Sequence, residues 1–85
     1  MILRATPEFR RPYESLGNRE LRAVNAAVER LMVEHEAAWA REGRVEGDRG
    51  GAWLFSVRSG DTALAVYWDY VGEETLTLLL LLRCA

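Results

Sequence analysis

An α+β domain, with two N-terminal helices packed on one face of a small antiparallel sheet, is the fold this sequence predicts. Three observations predict it. Residues 19–42 place apolar side chains at spacings of three and four, the period of a helix with one buried face. Residues 53–58, 62–69 and 75–83 are rich in aromatic and aliphatic residues and are separated by Ser59-Gly60-Asp61 and Val71-Gly72-Glu73-Glu74, which is the spacing of an antiparallel meander. At 85 residues and 9.7 kDa the chain is expected to form one domain, 1–85, with a single modest core.

The elements follow in order. Met1-Ile2-Leu3-Arg4-Ala5 reads as a short first strand. Thr6-Pro7-Glu8 is a helix start, with Thr6 as N-cap and Pro7 at the first helical position, where a missing N–H costs nothing. Pro12 shortens or kinks that helix, and Leu16-Gly17-Asn18 breaks it. In the long helix over 19–42, Leu21, Val24, Val28, Leu31, His35 and Ala38 form the apolar face; Arg22, Glu29, Arg30, Glu36 and Glu42 face solvent. Residues 43–51, with four glycines, read as a linker into the sheet. In the last strand, strict alternation puts Leu76, Leu78, Leu80 and Leu82 on one face, expected under the helices, and Thr75, Thr77, Leu79 and Leu81 on the other. An 85-residue chain has little left to cover that second face. Leu79 and Leu81 are therefore the expected partner-binding residues, and the last strand is a candidate sheet edge for strand addition.

Composition excludes several classes. The apolar run over 76–82 is far shorter than the roughly 20 residues of a membrane span, and the N-terminus lacks the pattern of a signal peptide. The single Cys84 has no second cysteine for a disulfide or metal site, so a cytoplasmic location without metal or cofactor is expected. All eleven basic residues are arginine, a bias that a GC-rich genome produces without functional cause. Residues 1–30 carry six Arg against four Glu, while the net charge of the whole chain is −2. A nucleic-acid binder usually shows a strong basic face, and this chain offers a weak one.

Candidate site residues are few. Arg58 ends a strand beside a turn and by itself reads as a solvated or Asp61-paired arginine. His35 on the helical stripe reads as a partly buried structural histidine, since no second His, Cys or Asp accompanies it at useful spacing. Trp53, Tyr67, Trp68 and Tyr70 offer stacking surfaces but, within a meander, read as core or interface. Glu73 and Glu74 are solvated turn residues. No catalytic triad, carboxylate pair or metal-ligand cluster stands out.

Strand, helix, helix and meander in this order resemble the RelE/ParE superfamily, the small toxins of bacterial toxin–antitoxin pairs. The resemblance is carried by Phe9-Arg10-Arg11-Pro12-Tyr13-Glu14-Ser15-Leu16-Gly17-Asn18, similar to that family's first helix and Leu-Gly break. Val45-Glu46-Gly47 and Trp53-Leu54-Phe55-Ser56-Val57-Arg58-Ser59-Gly60-Asp61 resemble its approach to the second strand and its aromatic strand ending in Arg before a turn. The resemblance implies a RelE-like fold, an antitoxin partner and, in the RelE branch, metal-independent cleavage of ribosome-bound mRNA by a cluster of basic residues that stabilises the charged transition state. Arg58 matches one member of that cluster and Arg83 lies near a late one; these are the implied catalytic positions. Leu54, Ser56 and Ala63 or Leu64 stand where other basic residues are usual. The C-terminal Tyr or His of some members does not follow Arg83. Two kinds of function are thus expected: a toxin-like protein that binds an antitoxin, with residual or absent ribonuclease or gyrase-directed activity, or a small interaction domain that forms a homodimer.

Overall fold

A computed structural model, describing residues 1–48 and 50–84, consists of two helices and a five-stranded mixed sheet. Strand β1 (Ile2–Ala5) leads into helices α1 (Pro7–Glu14) and α2 (Asn18–Glu34) and a 3₁₀ helix (Ala38–Arg41). Strands β2 (Gly43–Gly47), β3 (Gly50–Ser59), β4 (Thr62–Tyr70) and β5 (Thr75–Cys84) complete it. The spatial order is β1-β5-β4-β3-β2.

The α+β class and the meander agree with the sequence, but the sheet is not antiparallel throughout. β1 runs parallel to β5. No tight turn joins these two strands, so no hairpin dictates their direction. This pairing places the first part of β5, Thr75 to Leu78, between β1 and β4; from Leu79 to Cys84 β5 pairs with β4 alone, so the edges are β1, β2 and, in part as expected, the second half of β5.

Residues 43–51 contain a strand and the start of another rather than a linker. Only Val45 in β2 is apolar, so alternation is invisible there, and the order comes from pairing along β3, from Gly43↔Leu54 to Gly47↔Gly50. The long helix is also shorter than its periodicity. A straight helix over 19–42 would measure about 36 Å at roughly 1.5 Å per residue, longer than the molecule's greatest extent of 33 Å. The chain instead turns after Glu34, and the 3₁₀ segment folds back on the sheet. Trp39 there meets Phe55 edge-on at 5.1 Å, and the buried Ala40 accepts a 2.8 Å hydrogen bond from Trp68 Nε1.

One buried cluster joins Phe9 of α1, Val24 and Leu31 of α2 and Ala40 to Phe55, Val57, Leu64, Val66, Trp68, Leu76, Leu78 and Leu81 of the sheet. The strand members are cross-strand neighbours, Phe55↔Val66↔Leu81, Val57↔Leu64 and Trp68↔Leu78, so they share one sheet face and both helices lie over it. Val28 packs at the cluster's margin. Thr6 caps α1 as its position suggests. Its hydroxyl accepts from Phe9 N–H at 3.2 Å and donates to the Leu79 carbonyl at 2.7 Å.

The leucine run departs from strict alternation. Tyr67 pairs with Leu80 and Trp68 with Leu78, leaving Leu79 as the extra residue of a β-bulge. A bulge shifts the parity of everything beyond it. Leu76 and Leu78 face the helices as expected; Leu81 replaces Leu80 and Leu82 there and is 1% exposed. Leu82 is 44% exposed on the opposite face.

Candidate functional site

Among the described residues no helix or strand covers the second, open face of the sheet. Alternation places on it Leu80 and Leu82 of β5, Ala63, Ala65 and Tyr67 of β4, Ala52 and Leu54 of β3 and Val45 of β2. Leu79, pushed out at the bulge, joins them: it lines with Leu80, Tyr67, Ala52 and Val45 a shallow depression of about 580 Å³. Small residues, Gly47, Gly50 and Ala52, line it as well, while Tyr67 and the two leucines bring bulk. Of the two partner-binding residues expected from the sequence, Leu79 is on this face. Leu81 is not: it is buried among Pro12, Leu16 and Leu64 on the helical side, because the bulge reverses its direction. Leu80 and Leu82 stand in its place, and no signal in a run of identical residues distinguishes them.

Arg58 and Arg83 do not meet. Arg58 pairs with Ala63 near the end of the β3–β4 hairpin, exposed on the open face, and forms no ion pair among the described residues. Arg83 pairs across to Leu64, a core residue, and so belongs to the helical face. There its Nη1 lies 2.8 Å from Glu20 Oε2 of α2. That oxygen is buried with no well-aligned hydrogen-bond donor, so the contact is a close ion pair of poor hydrogen-bond geometry. Leu54, Ser56 and Ala63 share the open face with Arg58. This group of four positions therefore holds one cation. Ser56, where β2 has ended, gives its N–H at 3.3 Å to the Glu42 carboxylate, which adds a negative charge beside it.

A second constellation is invisible in the sequence. At the end of α2, His35 Nδ1 lies 2.7 Å from Tyr70 Oη, and Arg41 Nη2 donates to the same oxygen at 2.9 Å. Arg41 Nε also donates to the His35 carbonyl at 3.2 Å, and its guanidinium lies 4.3 Å from the centre of the Trp53 ring. Arginine only donates, so Tyr70 Oη accepts from Arg41, while the imidazole tautomer sets which of Tyr70 and His35 donates in the second bond. Together these bonds fasten the end of α2 to β4. His35 is partly buried, as read from the sequence, and Tyr70 packs against Trp53 and Trp68. Arg41 was hidden because the periodicity placed it within a longer helix.

Among the described residues no group of three or more His, Cys, Asp or Glu side chains is arranged to hold a metal ion, and no helix is long and apolar enough to cross a membrane. No protein-family profile, curated protein or solved structure matches this chain.

Proposed function

We propose that this chain is a RelE/ParE-like, toxin-type protein that works by binding an antitoxin-like partner over the open face of its sheet, with little or no cleavage of ribosome-bound mRNA of its own. The observation that carries the reading is the uncovered apolar band of Leu79, Leu80, Leu82 and Tyr67, since contiguous apolar surface on a small protein marks an interaction site. The weak catalytic side of the reading rests on Leu54, Ser56 and Ala63 around a lone Arg58. Removing one transition-state donor costs on the order of 10²–10³ in rate, and here several are lacking while Arg83 lies on the other face. Co-expression with the product of an adjacent small gene tests it. The pair should co-purify, Leu80→Glu should abolish the complex without unfolding the chain, and growth arrest on expression, if present, should be relieved by the partner. Vigorous ribosome-dependent cleavage abolished by Arg58→Ala would overturn the catalytic part. A second reading, a non-catalytic interaction domain that pairs with its own copy, is favoured by the free edge of β2.

A further inference from the structure

Strand β2 borders β3 alone, and Arg44 to Gly47 are exposed. The parity of its backbone can be read from β3. Ser56 N–H reaches the Glu42 carboxylate just beyond the last β2 pair, Gly43↔Leu54, so the even-numbered residues of β3 turn their polar groups to the β2 side. The β3–β4 hairpin agrees: Ser59 and Thr62 close it over Gly60 and Asp61, which assigns the odd-numbered residues to β4. Gly43 and Val45 therefore exchange hydrogen bonds with Leu54 and Ala52. The backbone groups of Arg44 and Glu46 point outward from the edge.

The strand Gly43-Arg44-Val45-Glu46-Gly47 is also self-complementary in one register. Laid antiparallel on a second copy with Val45 at the two-fold axis, Arg44 faces Glu46 of the copy and Gly43 faces its Gly47. The residues that meet as charge pairs are the ones whose backbone groups are free, so each pair exchanges two hydrogen bonds. Arg44 Nε and Glu46 Oε1 lie 2.8 Å apart within one chain, folded back over Gly51 and Trp53 of β3, and on pairing each gains an oppositely charged residue directly across the seam, to which its exposed side chain can turn. Slipping the register by two residues in either direction sets Arg44 against Arg44 or Glu46 against Glu46, which is unfavourable for directly opposed side chains. The other free stretches have no such match: in β1, Ile2-Leu3-Arg4-Ala5, centring on Leu3 puts Arg4 opposite Ile2, and Leu79 to Cys84 of β5, beyond the reach of β1, carries the single charge of Arg83, which no residue of opposite charge in that stretch can face.

We propose that β2 is a homodimerisation edge, through which a second copy of this chain adds by antiparallel β2–β2 pairing centred on Val45 and extends the sheet across a two-fold axis. This holds whichever partner covers the open face. One short strand gives an interface at the small end of the range, so association is weak and concentration-dependent.

Sedimentation equilibrium or light scattering across a dilution series tests it. The mass should rise from 9.7 kDa toward twice that value at high concentration. Arg44→Glu and Glu46→Arg should each weaken self-association at least tenfold, the first by opposing acids and the second by opposing bases. An equimolar mixture of these two variants should restore a dimer, because every opposed pair is then oppositely charged. In a Cys84→Ser background, Val45→Cys should form an intermolecular disulfide on mild oxidation, since a non-hydrogen-bonded pair sets Cα atoms about 4.5 Å apart, within disulfide reach. A wild-type chain that stays at 9.7 kDa at millimolar concentration would overturn the proposal. So would a dimer that survives both single charge variants or that is lost only with Leu80→Glu, which would place the contact on the open face. Retained partner binding alongside any of these results would leave the open-face reading standing.

Discussion

A single hydroxyl at Thr6 joins three parts of the molecule: it directly follows β1, caps α1 through Phe9 N–H and reaches the bulge carbonyl of Leu79. Thr6→Ala removes both bonds and should cost about 1–2 kcal/mol in denaturant unfolding, whereas Thr6→Ser, which keeps the oxygen, should recover most of it. The leucines separate just as sharply. Leu81→Ala leaves a cavity in the core and should lose about 2–5 kcal/mol, while Leu82→Ala on the open face should change stability by less than about 0.5 kcal/mol. Equal effects would reject the bulged register. On the far side of the molecule, hydrogen bonds from Arg30 and then Trp39 hold the Glu34 carboxyl below its ordinary value of 4.5. A depressed folded-state value means that these bonds contribute above the unfolded-state value and are lost as pH falls through the folded one. The Trp39 indole N–H resonance should therefore titrate with a midpoint below 4.5, and Glu34→Gln should remove that transition.

At the level of elements, the β-bulge decides more than any single side chain. Deleting Leu79 removes the extra residue yet leaves Leu76, Leu78 and Leu81 on the covered face, so this variant should keep the native circular dichroism spectrum. Deleting Leu76, above the bulge, disturbs the parity of the buried set and should not. The meander was legible because Gly60 and Gly72 punctuate it and β-branched, aromatic and leucine side chains fill it. The bulge was not, because five consecutive leucines carry no pattern that one shifted residue can disturb. β2 escaped for the opposite reason: glycine and charge dominate it, and its order is supplied by β3. The end of α2 was overrun because His35 and Ala38 prolong the helical period with no glycine or proline to stop it, although a tertiary contact, Trp39 and Ala40 against the sheet, does. The candidate site was legible as an uncovered leucine face. Which leucines occupy it, and the clasp of Arg41 on Tyr70, required the fold.

For the molecule as a whole, the pairing of β1 with β5 has a consequence for how the chain comes into being. A ribosome releases β1 well before β5, yet Thr75 to Leu78 of β5 are flanked on both sides, by β1 and β4, and the strand carries Leu76, Leu78 and Leu81 of the core. Until that last strand emerges, β1 has no neighbour to join, and α1 lacks the strand it packs on. Contacts so distant in sequence form late and slow the search for the native state. The domain should therefore fold as one unit only once β5 has emerged. A chain ending at Tyr70 should show no dispersed amide spectrum, and on stalled ribosomes arrested before β5 is exposed the nascent chain should remain protease-sensitive. A domain built this way gains its binding face in a single late step, so a partner that recognises the finished sheet meets folded domains and passes over those whose last strand has not yet emerged.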